Sequence, residues 1–210
     1  YHCRPSSSTT AFMSDPSIAS RIRFVLVGTQ HPGNMGAAAR AMKTMGLARL
    51  VLVAPEKPLD EDAFRRSAGA EDVLGDAPVV ATLADAVADC TLVLGCTARA
   101  RRVQLEELLP TVAAARVAAK AAEGAEVAIV FGRERTGLTN EELQLCHAAV
   151  HIPSDPAFSS LNLAAAVQVL AYEVRMRLLG DAATPVAEPG LREQPASHEQ
   201  MESFFGQLGE

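Results

Sequence analysis

Residues 23–54 read RFVLVGTQHPGNMGAAARAMKTMGLARLVLVA, and this stretch decides the fold. Arg23–Gly28 is a short apolar run halted by a glycine, the mark of a buried strand rather than one with a wet face. Gly33–Gly46 then reads as a helix rich in Ala and Met, with Gly46 at its stop. Leu50–Ala54 is a second buried strand, closed by Pro55.

The same alternation continues in both directions. Residues 61–88 read as helical and acidic, interrupted by a short strand at Val79-Val80. Thr91–Gly95 is a further strand, 104–122 an Ala-rich helix, and Val127–Phe131 another strand. Thr139 and Glu142 form a capping box, each side chain serving the other's backbone, and open a short helix to Leu145. Ala148–Ile152 is the last strand. A long helix follows from about Ser160 to Leu179, with an apolar stripe at Ala164, Val167, Ala171, Val174 and Leu178. Continuous apolar strands alternating with helices predict an α/β domain with a mostly parallel sheet and flanking helices. It spans 21–180; residues 1–20 read as a flexible extension with Met13 a candidate start. Residues 181–197 read as a linker, and 198–208 as a short amphipathic helix that begins a C-terminal helical extension.

Composition narrows the function classes. Of 210 residues, 49% are apolar, enough for a substantial core, while 4% are aromatic with no Trp, too few for a protein that reads single strands by stacking bases. The net charge of −6 argues against nucleic-acid binding by bulk charge, so the placement of each cation decides that question. Cations cluster away from the acidic segments, at Arg21 and Arg23, at Arg99, Arg101 and Arg102, and at Arg133 and Arg135. Cys3, Cys90, Cys96 and Cys146 show no CxxC or His-paired spacing, which argues against a metal site or a disulfide framework. No apolar run reaches the roughly 18 residues of a membrane span, and no signal peptide is visible. A reduced, cytoplasmic protein is expected.

Ligands of open parallel sheets bind beyond the carboxyl ends of the strands, so three loops carry the functional reading. In Thr29–Arg40, glycines 33 and 36 allow close approach by a backbone or a phosphate, and Gly36, Arg40 and Lys43 share a helical face. In Phe131–Leu138, two glycines bracket the charged triplet Arg133-Glu134-Arg135, which a loop that only turned would not need. In Ile152–Leu163, Ser159 or Ser160 is placed to cap the long helix, and Asn162 falls within its first turn, where Asn costs helix propensity. A plain Gly-rich turn, a solvated charged turn and an ordinary N-cap would each explain one loop alone. The absence of GxGxxG argues against a dinucleotide-binding oxidoreductase.

Together, in this order, the motifs Asn34-x-Gly36-x-x-x-Arg40, Phe131-Gly-x-Glu134-x-x-Gly137-Leu138 and Ser160-Leu-Asn162-Leu resemble the SpoU/TrmH branch of the SPOUT RNA methyltransferases. The longer runs 39–47, 131–143 and 159–175 are similar to its TrmJ-type tRNA (cytidine/uridine-2′-O)-methyltransferases, over about 21–180. The resemblance implies a trefoil-knotted homodimer that uses S-adenosyl-L-methionine to methylate a tRNA ribose, at nucleotide thirty-two of the anticodon loop. It implies donor contacts at Cys96, Thr97, Ala98, Gly132, Ile152, Ser159, Ser160 and Leu161. It makes Arg40 the catalytic arginine, supported by Asn34, Glu134, Ser160 and Asn162, with no metal. Arg23, Lys43, Arg99, Arg101 and Arg102 are expected to meet the tRNA backbone. A related enzyme acting on rRNA or another tRNA loop, and a non-catalytic RNA-binding scaffold, stay open at this point.

Overall fold

In the computed structural model, described for residues 16–97, 105–155, 157, 160–180 and 197–208, seven strands form one parallel sheet. The strands are β1 (Ile22–Val27), β2 (Arg49–Val53), β3 (Val79–Val80), β4 (Leu92–Cys96), β5 (Glu107–Leu108), β6 (Val127–Phe131) and β7 (Ala148–Val150). Their spatial order is β3-β2-β1-β6-β4-β7-β5. The helices in chain order are α1 (Pro16–Ala19), α2 (Pro32–Thr44), α3 (Glu61–Ser67), α4 (Glu71–Gly75), α5 (Leu83–Val87), α6 (Pro110–Ala122), α7 (Asn140–Gln144), α8 (Leu163–Leu179) and α9 (His198–Leu208). Residues 1–180 and 181–210 form two separate compact units; within the second, α9 exposes Met201, Phe204 and Phe205.

Period-two alternation along the central strands builds two cores. Ile22, Phe24 and Leu26 point to one face with Leu50, Leu52 and Ile129, where Met35 and Met42 of α2, Val117 of α6 and Val167, Leu170 and Val174 of α8 cover them. Val25, Val27, Val51, Val93 and Val130 point to the other face, under Leu83 and Val87 of α5 and Leu143 of α7. Both faces are dry, which is why the strands read as unbroken apolar runs.

Several boundaries differ from the sequence expectation. The strand expected at Val79-Val80 is present as β3, but the helical part of 61–88 is three short helices, because Ala68 and Gly69 adopt positive φ (27° and 88°) and Pro78 interrupts the chain. Within 104–122, Glu107–Leu108 is an edge strand and the helix begins at Pro110, where proline's missing N–H costs nothing. The long C-terminal helix of the domain starts at Leu163, not Ser160. Residues 181–196 of the predicted linker lie outside the described residues.

Candidate functional site

At the carboxyl end of β1 the chain turns through Gly28 at φ 59°, a conformation that favours glycine. The loop after β6 closes a tight hairpin: Arg133 and Gly137 exchange backbone hydrogen bonds of 3.3 and 2.8 Å. A Cβ on Gly132 would overlap the Gly137–Leu138 peptide, so only glycine lets the hairpin fold back this closely. Gly33 and Gly36 also admit close approach, and their neighbour is α3. The side chains of Asp62 and Arg66 sit over Gly33, and the Ala63 carbonyl sits against Gly36.

The charged triplet divides its work. Arg133 forms a forked ion pair with Glu142 at 3.0–3.1 Å and lies across the Gly28 turn, its Nε 2.7 Å from where a Cβ would stand. Glu134 turns the other way: its carboxylate accepts from the Gln30 N–H (3.0 Å), the His31 N–H (3.3 Å) and the Asn34 amide (2.9 Å). No side chain of its own caps the start of α2, so Glu134 supplies the missing acceptor from the loop after β6, the strand paired with β1. Partial burial pushes this carboxyl upward, but the hydrogen bonds from Asn34, Gln30 and His31 outweigh it and hold Glu134 below the usual carboxylate range.

Asn34 passes the connection on. Its Oδ1 accepts from the Asn162 side-chain amide at 3.3 Å, while Asn162 Oδ1 accepts from the Ala164 N–H at 2.9 Å. Asn162 is therefore the N-cap of α8 and not a residue of its first turn, which removes the helix-propensity cost expected for it. Ser160 is exposed and does not cap the helix. One hydrogen-bonded chain, Glu134–Asn34–Asn162, thus joins all three loops.

Beside that chain lies a cavity of about 330 Å³. Six of the eight residues expected against a donor line it: Cys96, Thr97, Gly132, Ile152, Ser160 and Leu161. Ala98 and Ser159 lie outside the described residues. The rest of the loop that the sequence reading marks as functional, from Phe131 through the triplet Arg133-Glu134-Arg135 to Thr136, also lines the cavity, as do Leu163 and Ala166 from α8, which are not among the expected donor contacts. The motif's bracketing glycines mark the hairpin, but nothing local marks α8 as its opposite wall. Burial pushes the Cys96 thiol up to about 12, so Cys96 lines the cavity as a neutral thiol. Among the described residues no cluster of His, Cys, Asp or Glu is arranged to hold a metal ion.

Arg40 is exposed on α2 and lines a neighbouring depression of about 250 Å³ between α2 and α8, with Thr44 and Gln168. Of the residues expected to meet RNA, Arg23 must be corrected. It is 7% exposed at the amino end of β1, bonded to the Ala86 carbonyl (2.5 Å) and to Asp89 (2.7 and 2.8 Å), so it braces the sheet's opposite end. Lys43 is paired with Asp72 at 2.7 Å. Arg99, Arg101 and Arg102 lie outside the described residues. No described helix is long and apolar enough to cross a membrane.

Comparison with known proteins decides the lineage. The SpoU rRNA Methylase family model matches residues 21–172, nearly the whole first unit. The chain belongs to this family. A tRNA (cytidine/uridine/adenosine-2′-O-)-methyltransferase TrmJ of Pseudomonas aeruginosa is 57% identical to this SpoU methylase over 165 residues, 79% of the chain and 64% of that relative. The tRNA (cytidine/uridine-2′-O-)-methyltransferase TrmJ of Yersinia enterocolitica is 56% identical over 169 residues, covering 80% of the chain and 65% of the relative. The chain therefore spans slightly under two thirds of these curated relatives. The crystal structure of TrmJ from Z. mobilis superposes with a TM-score of 0.68 at 37% identity, covering 89% of this chain and 77% of that one.

Proposed function

We propose that this SpoU methylase is an S-adenosyl-L-methionine-dependent 2′-O-methyltransferase of a tRNA ribose, acting on cytidine or uridine at nucleotide thirty-two of the anticodon loop. One observation carries the reading: the hydrogen-bonded chain from Glu134 through Asn34 to Asn162 fixes the cavity wall and the helix bearing Arg40 as one unit. The TrmJ relatives supply the substrate class. A cytoplasmic, knotted homodimer belongs to the same reading.

The cavity suits the methyl donor. Its volume of about 330 Å³ lies in the range of small-molecule sites. Its lining mixes the apolar Phe131, Ile152 and Leu161 with the hydroxyls of Thr97 and Ser160 and with the backbone of Gly132. When bound there, the donor supplies an electrophilic methyl on a sulfonium.

The residues of the chain do the rest. A ribose hydroxyl is a very weak acid, so attack needs its developing negative charge stabilised and its proton removed. A guanidinium stays protonated in proteins, so Arg40 holds a phosphate or the developing oxyanion rather than acting as the base. The proton leaves to an RNA phosphate or to solvent water, directly or relayed through the Ser160 hydroxyl, which gives up its own proton as it takes the ribose one. Glu134 and Asn34 hold the start of α2, and hence Arg40, in register with the cavity.

The test is incubation of tRNA with labelled donor, followed by mapping of ribose methylation. Wild type should methylate one anticodon-loop pyrimidine, and Arg40→Ala should lose about 3 kcal/mol of barrier stabilisation, more than a hundredfold in rate. Near wild-type turnover by Arg40→Lys would remove the specific guanidinium role. Methylation of rRNA alone would replace the substrate, and none with any RNA would make the chain a scaffold.

A further inference from the structure

Most cations of the described residues are consumed by internal ion pairs. Arg21, Arg23 and Arg49 gather around Glu126 and Asp89, Lys43 meets Asp72, Arg65 and Arg66 share Asp62, Arg116 meets Glu106, Lys120 meets Glu123 and Arg133 meets Glu142. In a chain of net charge −6 this pairing is the default, and an unpaired arginine is the exception. Arg135 is such an exception: it is exposed, makes no hydrogen bond or ion pair, and borders the cavity of about 330 Å³.

Its backbone is not free to wander. The Arg133–Gly137 bridge closes the hairpin on either side of it, and both preceding residues are anchored, Arg133 on Glu142 and Glu134 on the α2 start. The triplet's first two members are thus explained by internal contacts, and the third is held at the cavity rim with its charge unspent. A guanidinium held on a fixed backbone loses little further freedom when it forms a forked contact with an oxyanion. The exposed Arg40 lines a second depression, between α2 and α8, and it too has no ion-pair partner among the described residues.

We infer that Arg135 is an anion-binding residue at the mouth of the donor cavity, contacting either an RNA phosphate next to the target ribose or the carboxylate of the methyl donor. This inference rests on the reading under Proposed function and adds to it a binding residue at an unspecified position of the second motif.

The experiment compares wild type, R135Q and R135K in two titrations: S-adenosyl-L-methionine by calorimetry, and a tRNA transcript at 50–300 mM salt, roughly the range in which counterion release is read. If Arg135 holds a phosphate, R135Q lowers the slope of log affinity against log salt by about one and R135K restores it, with donor affinity unchanged. If it holds the donor's carboxylate, R135Q weakens the donor about tenfold and leaves the salt slope alone. Wild-type values in both titrations for R135Q overturn the proposal. Failure of the wild-type chain to bind tRNA or donor at all would instead remove the functional reading beneath it.

Discussion

Replacing Glu134 by Ala removes one acceptor that serves three donors at once, the Gln30 and His31 N–H groups and the Asn34 amide. At about 1 kcal/mol net for each hydrogen bond, the loss is about 3 kcal/mol, a large part of a typical domain's stability. For a domain of this size that corresponds to a fall in melting temperature of about 6–12 °C. Glu134→Gln keeps one oxygen acceptor but brings an N–H towards backbone donors and loses the charge at the α2 start, so it should cost about half as much. The pH dependence gives a second handle. The folded carboxylate titrates below its unfolded value near 4.3, so its contribution is complete above about pH 5 and is lost as pH falls through the depressed folded value. Thermal unfolding followed by circular dichroism from pH 3 to 8 should show a constant gap between wild type and Glu134→Ala above pH 5, narrowing at the acidic end. A gap under 1 °C at pH 7, or one that stays constant through the acid range, would refute the carboxylate's role as the cap of α2.

Three further outcomes follow from the same geometry. Gly132→Ala should weaken donor binding by about 10- to 100-fold in calorimetry, because the added methyl overlaps the Gly137–Leu138 peptide and must displace the hairpin that lines the cavity at a cost of about 1–3 kcal/mol; unchanged affinity would mean that the hairpin does not form the donor wall. Asn162→Ala should cost about 1 kcal/mol as a lost cap, and a double-mutant cycle with Asn34→Ala should show coupling of about 0.5 kcal/mol or more, whereas strict additivity would sever the proposed link between the loops. Desolvation raises the Cys96 thiol, so peptide mapping after iodoacetamide at about pH 8 should find it alkylated more slowly than a small free thiol; alkylation as fast as that would contradict its partly buried place in the cavity wall.

The fold was legible wherever one segment's own pattern was sufficient. The apolar runs at 24–27, 50–53 and 127–131 are strands because both sheet faces are covered, and Gly46, at φ 73°, ends α2 where the sequence places the stop. Thr139 and Glu142 form the capping box that their spacing predicts. Glu107–Leu108 was not legible, because a two-residue edge strand has no period to detect. The site was legible as three loops, since glycines and charges mark them, but not in its wiring. Nothing near Asn162 tells that Asn34, 128 residues away, is its partner, and nothing near Arg23 tells that Asp89 will bury it. Charge is a local property of the sequence; whether it is spent on a partner is decided by long-range packing.

The most direct test of the convergence of these loops is a crystal structure of the chain grown with S-adenosylhomocysteine, the demethylated donor. The sulfur should lie in the cavity between Gly132 and Leu161, with the Arg40 side chain reaching the same space. A ligand bound away from both the 132–137 hairpin and the start of α8, or an Arg40 directed elsewhere, would contradict it.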